Sequence, residues 1–341
     1  MNDENQGYDI VGLGSCTMDM IFSVDDILRM ELVDKNQSQK KYMAIEHSSK
    51  LNVNSVKFFP GGSAANVTCN LSQLGFKTAF IGGVGDDMNG NACIEDMRKK
   101  GVDVSSVEVF NSETTAISVI LQTPWGKDSS ILAYKGANNL FSEEHLPEEK
   151  LLKTRCFLWT SLTSNDGIKA IERGIALAKS QNSLIAGAPS ISIIKNRPKE
   201  TVSLLKKSDF ASMNEEELLT LTDESQPIEG MKKLFDWGLK IVNITFGKDG
   251  QWISDGDKII KTTPPKVFLQ DTTGAGDATM SGVLYGILEK RSLKETAKVA
   301  ASLSAMEIEV EGVRVGTPVK FSELEKFIDS HEIRQEIENF E

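Results

Sequence analysis

The chain has 341 residues, and 40% of them are hydrophobic, which is enough to bury a sizeable core. Its 38 basic and 49 acidic residues give a formal net charge of −11, and the basic residues are spread along the chain instead of forming a stripe. This pattern argues against a nucleic-acid partner and favours small solutes.

Cysteine usage and the N-terminus both predict a cytoplasmic protein. The four cysteines show no metal-ligand spacing, and we expect them to be reduced residues of the core: Cys16, Cys69, Cys93 and Cys156. The first nine residues are polar and acidic, without an apolar signal region. No run of about 18 uncharged apolar residues occurs, so no membrane partner is expected.

Short apolar runs alternate with helix-length segments along most of the chain. In chain order, the sequence predicts strand 8–13, helix 64–74, strand 78–81, helix 90–100, helix 166–181, strand 184–186, helix 199–206, strand 210–212, helix 215–221, helix 229–237 and strand 240–245. This alternation predicts an α/β fold with a mostly parallel central sheet and helices on both faces. No repeat or low-complexity linker divides the chain, so we predict one domain over residues 1–341.

Two pairs of segments interrupt the alternation. Residues 18–23 with 52–59, and residues 114–122 with 128–134, indicate strands joined by turns instead of helices. We predict that these strands, within about 17–60 and 113–136, form a small sheet that closes over a substrate and excludes water. The alternative is that they only extend the central sheet.

The most informative motif is Asp-Thr-Thr-Gly-Ala-Gly-Asp at residues 271–277, which directly precedes an apolar stretch predicted to be a buried helix. Gly274 and Gly276 allow backbone N–H groups to converge on an anion, and a helix N-terminus adds its positive dipole end. Asp277 then lies in the first turn beside the anion. The alternative interpretation is that Asp277 is only a capping carboxylate.

A second glycine motif, Pro-Gly-Gly-Ser-Ala-Ala-Asn-Val at residues 60–67, joins a predicted lid strand to a helix. Its small residues, Gly61 and Gly62 among them, let a ligand approach the backbone closely. Asn66 offers a donor and an acceptor, which suits a polyol. Close helix packing is the competing explanation for the small residues.

Together these motifs resemble the ribokinase-like, or PfkB, carbohydrate kinase family, which includes ribokinase, fructokinase and adenosine and other nucleoside kinases. The resemblance covers nearly the whole chain and implies a three-layer α/β/α fold with a small β-sheet lid. The matching elements are two long signatures and two shorter ones: residues 61–66 with Gly75 and Gly85, 271–277 with Ser281 and Gly282, 214–217, and 245–250.

The resemblance implies ATP-dependent phosphorylation of a primary hydroxyl on a small sugar or sugar-like acceptor. Asp277 would be the general base, and the amides of Gly274, Ala275 and Gly276 would form an anion hole for the γ-phosphoryl group. This assignment agrees with the chemistry, because the loose transition state of phosphoryl transfer needs mainly positioning and electrostatic stabilisation.

The resemblance also implies how the nucleotide is held. Glu217, with Asn214, would act through water on Mg²⁺ bound to the phosphates, as suits a cation that keeps several waters. Residues of the strand and turn at 245–250 and of the glycine-rich loop at 271–277 would line the nucleotide: Thr245, Gly247, Gly250 and Thr272. From the residues alone, Asn214 and Glu217 also fit a helix capping box, and the two roles are compatible.

The resemblance also implies which residues bind the acceptor: Asp19, Gly61, Gly62 and Asn66. A carboxylate such as that of Asp19 accepts hydrogen bonds from two neighbouring hydroxyls, which suits a sugar or a ribose. The spacing between Asp19 and Gly61 is longer than in a typical ribokinase, and the excess includes the charged stretch 31–50. The lid or the subunit contacts are therefore expected to differ.

A monovalent-cation loop is implied by Asp271, Thr273 and the turn at Gly312, so K⁺ is a candidate cofactor besides ATP and Mg²⁺. The acidic residues of 307–311 depart from the pattern there. Residues 187–192 also depart from it, because many family members have an Asp-Pro-Asn-type segment at that place.

Other functions remain open at the level of sequence. A nucleoside kinase would need an apolar wall for a base, which Phe22, Trp125 or Trp159 could supply, although each could equally be packing. A catalytically silent sugar-binding regulator is disfavoured by the retained Asp277 and anion hole. A dehydrogenase is disfavoured because the Gly-Leu-Gly after the first strand lacks a third glycine. Exposed lid edges would favour a homodimer.

Overall fold

The computed structural model describes residues 7–25, 27–33, 39–123 and 126–340. Within them, the strands are β1 (Tyr8–Leu13), β2 (Thr17–Ser23), β3 (Leu28–Val33), β4 (Gln39–Ala44), β5 (Ser55–Gly61), β6 (Thr78–Gly85), β7 (Asp103–Phe110), β8 (Ala116–Thr123), β9 (Gly126–Tyr134), β10 (Thr154–Thr160), β11 (Leu184–Ala188), β12 (Phe210–Asn214), β13 (Ile241–Thr245), β14 (Gln251–Ser254), β15 (Lys258–Thr263) and β16 (Arg334–Asn339).

The helices in the same part of the chain are α1 (Ser63–Gln73), α2 (Met88–Lys99), α3 (Glu148–Leu151), α4 (Asn165–Lys179), α5 (Ile191–Asn196), α6 (Pro198–Leu205), α7 (Glu215–Thr222), α8 (Pro227–Asp236), α9 (Ala275–Leu288), α10 (Leu293–Ile308) and α11 (Phe321–Ser330). Every helix and strand predicted from the sequence is present, with ends that differ by a few residues.

The central sheet has the order β16-β15-β14-β13-β12-β11-β10-β1-β6-β7. Its pairs from β13 to β7 are parallel, and β14, β15 and β16 extend one edge in antiparallel fashion. Strand β10 shows why the layers form: Phe157 and Trp159 pack into one core, and Cys156 and Leu158 into the core on the other face. A strand that is apolar on both sides must be covered by helices on both sides.

A separate four-stranded sheet, the lid sheet, has the order β5-β2-β8-β9. The predicted lid segments therefore form their own sheet and do not extend the central one. The long insertion between Asp19 and Gly61 contains β3 and β4, which pair with each other as an antiparallel hairpin. The sequence analysis noted only the charge of this insertion and missed β3, in which apolar residues at 28, 30 and 32 alternate with charged ones although the whole strand is exposed.

The antiparallel edge of the central sheet was not predicted either. Strands β14 and β15 mix polar and apolar residues; they pair with each other as a hairpin, and β15 also pairs with the distant β16. Such strands are stabilised by tertiary contacts more than by local pattern.

Helices α9 and α10 pack unusually closely. A side chain at Gly282 would bring its Cβ within 2.8 Å of the Ala300 backbone nitrogen, and Gly286 faces Thr296 in the same way. Helix α10 begins with a capping box between Ser292 and Glu295. This close packing holds α9, which follows the glycine-rich loop, against α10.

All four cysteines are free and buried, as expected. Among the described residues, no helix combines the length and the apolar character needed to cross a bilayer.

Candidate active site

Helix α9 begins directly after the glycine-rich loop. Gly274 is its N-cap and adopts the left-handed conformation, with φ 82°, and Asp277 lies in the first turn. The Ala275 N–H donates to the Thr272 carbonyl at 3.3 Å, a long bond that an anion could replace. A Cβ at Gly276 would meet nothing within 4 Å, so this residue faces open space. The predicted anion hole and the carboxylate are thus presented together at a helix N-terminus.

Asp277 is held by hydrogen bonds from the start of α1. The Asn66 Nδ2 donates to Asp277 Oδ2 at 2.6 Å, and the Ser63 side chain also donates to this carboxylate. Burial raises the pKa of Asp277, while these donors and the charge of Arg314 act in the opposite direction. A carboxylate with a raised pKa and a fixed orientation has the properties of a general base.

Asp19 lies beside the end of the lid strand β5. A Cβ at Gly61 would come within 2.9 Å of Asp19 Cγ and closer still to Oδ2, so only glycine leaves room for this carboxylate. Burial raises the pKa of Asp19 to about 6, and Ser118 donates a hydrogen bond that lowers it. Gly62, the next residue, is the N-cap of α1. The predicted acceptor residues therefore converge at the junction of the lid sheet with α1.

Arg314, which the sequence analysis missed, connects these residues. It is 1% exposed, and its Nε donates to Asn66 Oδ1 at 2.5 Å. Its Nη2 donates to the Gly61 carbonyl and its Nη1 to Asp96, each at 2.9 Å. Nothing in the local sequence indicates this role, because the partners come from α1, α2 and β5.

The predicted nucleotide residues line one cavity of about 410 Å³. Five of them contribute to its walls: Asn214, Thr245, Gly247, Gly250 and Thr272. Helix α10 adds Ala301, Ala305 and Ile308, which the sequence analysis did not propose. A mostly apolar cavity of this size, open at a helix N-terminus, suits a ligand with a flat apolar part and an anionic end.

A smaller cavity of about 170 Å³ adjoins the first and shares Asn214, Thr245 and Gly276 with it. Asp277 and Glu217 both line the smaller cavity. Asp277 therefore lies in the smaller cavity, next to Gly276, which lines both cavities.

Asn214 and Glu217 form the capping box that the sequence allowed. Asn214 Oδ1 accepts from the Glu217 N–H, and Glu217 Oε2 accepts from the Asn214 N–H, both at 2.9 Å. Glu217 Oε1 also accepts from the Ile191 N–H at 3.0 Å. Burial raises the pKa of Glu217. The segment 187–192, which departs from the family pattern, thus helps to fix Glu217 and lines the smaller cavity through Pro189 and Ser190.

The three residues proposed for a monovalent cation do come together. Asp271 is buried; its Oδ1 accepts from the Thr273 hydroxyl at 2.7 Å, and its Oδ2 accepts from the Gly312 N–H at 3.2 Å. Glu307 accepts from the backbone N–H groups of Arg314, at 2.6 Å, and Gly316, at 2.8 Å. In the described part of the chain, no group of three or more His, Cys, Asp or Glu side chains is arranged to hold a metal ion.

Residues 10–320 match the family described as pfkB family carbohydrate kinase. The chain belongs to the PfkB family. A 5-dehydro-2-deoxygluconokinase from Clostridium perfringens is 27% identical over 321 residues, which cover 89% of this chain and 88% of that relative. The PfkB-family assignment and such relatives identify the protein as a sugar kinase, a phosphotransferase.

Solved structures show the same ribokinase-like fold. A putative ribokinase II from E. coli, in complex with ATP and Mg²⁺, gives a TM-score of 0.80 at 20% identity and covers 95% of this chain and 100% of its own. The adenosine kinase from Sinorhizobium meliloti gives a TM-score of 0.76 at 22% identity, with coverage of 89% and 95%.

The three aromatic residues considered as a wall for a nucleoside acceptor differ in position. Trp159 is fully buried and its Nε1 donates to Ser208 Oγ at 3.0 Å, so it belongs to the core. Phe22 lies half-buried in β2. Trp125 lies outside the described residues.

Proposed function

We propose that this sugar kinase transfers the γ-phosphoryl group of ATP to a primary hydroxyl of a small sugar or sugar-like acceptor. The observation that carries the proposal is the position of Asp277 in the first turn of α9, where it lines the smaller cavity next to Gly276, a residue that both cavities share. Its carboxylate has one oxygen held by Asn66. Ser63 also donates to this carboxylate, whose oxygens keep lone pairs that can accept the proton of the attacking hydroxyl.

The roles of the chain's own residues follow from this placement. The larger cavity binds the nucleotide, with its phosphates toward Gly274, Ala275 and Gly276, whose N–H groups stabilise the charge of the transferred group. Asp19 accepts hydrogen bonds from acceptor hydroxyls and orients the primary hydroxyl toward Asp277. The lid sheet excludes water, which would otherwise compete as the phosphoryl acceptor.

The donor set also fits Mg²⁺ bound through water. Glu217 and Asn214 line the cavities at the end of β12, and the two Glu217 oxygens already accept backbone N–H groups. Such an oxygen keeps capacity for a further hydrogen bond from a metal-bound water. When bound, Mg²⁺ would neutralise phosphate charge, and Glu217 would orient its water shell.

The test is a coupled ADP-release assay with Mg-ATP against free sugars, sugar acids, polyols and nucleosides. Asp277→Asn should retain ATP binding and lose about a hundredfold or more in kcat, the usual scale for a positioned base. The matched control is Asp329→Asn in α11, an exposed position away from the site, which should turn over normally. Turnover of Asp277→Asn close to wild type would remove Asp277 from this role.

A sugar is favoured over a nucleoside because polar groups, Asp19, Ser118 and Asn66, converge around the acceptor position, while Trp159 is buried in the core. Sugar acids are included in the panel because of the similarity to a 5-dehydro-2-deoxygluconokinase. Nucleosides are included because an adenosine kinase has the same fold. If no compound of the panel stimulates ADP release although the protein binds ATP, a binding protein without catalysis is favoured.

We also propose a homodimer through the lid sheet. Large apolar side chains of the lid strands are exposed, including Phe58 at 57%, Ile131 at 58% and Leu132 at 63%. Size-exclusion chromatography with light scattering should give a dimer mass that Phe58→Asp with Leu132→Asp reduces to a monomer. A monomeric wild-type protein would contradict the proposal.

The cytoplasmic location and the single domain over residues 1–341 stay predictions.

Binding of K⁺ at Asp271, Thr273 and Gly312 is a further proposal. Its support is that Asp271 joins these residues directly behind the anion hole. Activity should rise when KCl replaces choline chloride at constant ionic strength. Equal rates in the two salts would refute a role for the cation.

A further inference from the structure

Arg314 is a charged side chain that the proposed chemistry does not itself require. It is 1% exposed and lies between α10 and α11, with a positive φ of 64° that non-glycine residues seldom adopt. Burial of a guanidinium is costly unless nearly all of its donors are paired. Here the side chain is paired with α1, α2 and the end of β5 at the same time.

The contact with Asn66 decides how that amide is oriented. A guanidinium only donates, and an ionised carboxylate only accepts. Because Arg314 Nε faces one end of the Asn66 amide and Asp277 Oδ2 faces the other, the oxygen must point to Arg314 and the NH₂ to Asp277. The arginine therefore fixes the one amide orientation that donates to Asp277.

The second contact of Arg314 is with Gly61, beside the proposed acceptor-binding residue Asp19. Arg314 Nη2 donates to the Gly61 carbonyl at 2.9 Å, and Gly61 is the residue whose missing side chain makes room for Asp19. One planar group thus holds the neighbours of both carboxylates. Asp96 balances its charge at Nη1, at 2.9 Å, and Glu307 fixes its backbone by accepting from the Arg314 N–H.

We propose that Arg314 is a positioning residue that aligns Asp277, through Asn66, and Asp19, through Gly61, on the same acceptor hydroxyl. The inference rests on the proposed role of Asp277 as base. Among the described contacts, Arg314 makes no hydrogen bond to either carboxylate, so it orients them through these two neighbours, while its charge also acts on both directly. It should therefore act on kcat and on the acceptor KM and leave the Mg-ATP KM nearly unchanged.

The experiment is a double-mutant cycle of Arg314→Lys and Asn66→Ala, measured with the best acceptor of the panel. Lysine keeps the charge but cannot donate along three directions in one plane. We expect each single variant to lose about tenfold or more in kcat, on the scale of a misplaced catalytic group. In kcat, the double variant should lose less than the product of the two single losses, because both variants disturb the branch through Asn66. The branch through Gly61 should remain visible as a rise of the acceptor KM in both variants that change Arg314.

Two controls separate positioning from general damage. Cys69→Ala removes the weakest contact of the same guanidinium, a 3.7 Å approach of Nη1 to Cys69 Sγ, and should leave kcat within about twofold. If Arg314→Lys fails to fold, Arg314→Gln replaces it in the cycle, since a neutral side chain avoids the cost of an unpaired buried charge.

Three results would overturn the inference. They are wild-type kcat in folded Arg314→Lys, losses that multiply in the double variant, and an equal rise of the acceptor and Mg-ATP KM values. The Asp277→Asn variant is assayed under the same conditions as the variants of the cycle. If it turns over like wild type, the proposed function fails; if it is inactive while Arg314→Lys is normal, only the role of Arg314 fails.

Discussion

Replacing Gly61 by alanine tests the acceptor site most directly. The new Cβ would lie 2.9 Å from Asp19 Cγ, whereas carbon atoms in contact are normally about 3.5–4.0 Å apart. The Asp19 carboxylate must therefore move by roughly 1 Å. A hydrogen bond of about 2.7 Å to an acceptor hydroxyl would then stretch beyond a useful length.

The expected size of the effect follows from that lost contact. A hydrogen bond to a charged group contributes about 1.5–3 kcal/mol, and about 1.4 kcal/mol corresponds to a factor of ten. We therefore expect Gly61→Ala to lower kcat/KM for the acceptor by roughly ten- to a hundredfold. The Mg-ATP KM should stay near wild type, because Gly61 does not line the nucleotide cavity.

The assay is ADP release with the acceptor varied at saturating Mg-ATP. Gly238→Ala is the control for a glycine substitution outside the site, since a Cβ there meets nothing within 4 Å although its positive φ adds strain. Wild-type acceptor kinetics in folded Gly61→Ala would refute the placement of Asp19. Equal damage to the acceptor and Mg-ATP KM values would indicate a structural effect instead.

Two further predictions concern titration and the metal. Because burial raises the pKa of Asp19 to about 6, with Arg314 and Asp277 as its charged neighbours, acidification from pH 7 to pH 5 protonates the carboxylate that binds the acceptor. The acceptor KM should rise about tenfold, and Asp19→Asn should remove this dependence; a flat wild-type profile would count against the assignment. Glu217→Gln should raise the Mg²⁺ concentration for half-maximal rate by roughly ten- to a hundredfold, in a titration at fixed ATP with Glu216→Gln as the control. An unchanged titration would leave Glu217 with the capping role alone.

The raised pKa values of Asp19 and Asp277 have a common origin in burial. Each carboxylate loses hydration where the lid sheet meets the central domain, and the nearby Arg314 offsets part of that cost. This arrangement agrees with a site in which one carboxylate binds hydroxyls and the other removes a proton.

Much of the candidate site could be predicted because its signals are local. The start of α9, with Gly274 as N-cap and Asp277 in the first turn, follows from neighbouring residues. The capping box of Asn214 and Glu217 spans four residues. Lid strands β8 and β9 were recognisable because too few residues separate them for a helix.

The sequence by itself determined the layered α/β fold, the glycine-rich loop at the start of a helix and the assignment to a kinase family. Each of these depends on residue patterns within a helix, a strand or a turn. Only the tertiary structure decided which side chains meet. Asn66 and Arg314 are 248 positions apart, and the partners of Arg314 lie on three different elements. A buried guanidinium is stable only where the folded chain supplies all its acceptors at once, and no local pattern specifies that arrangement.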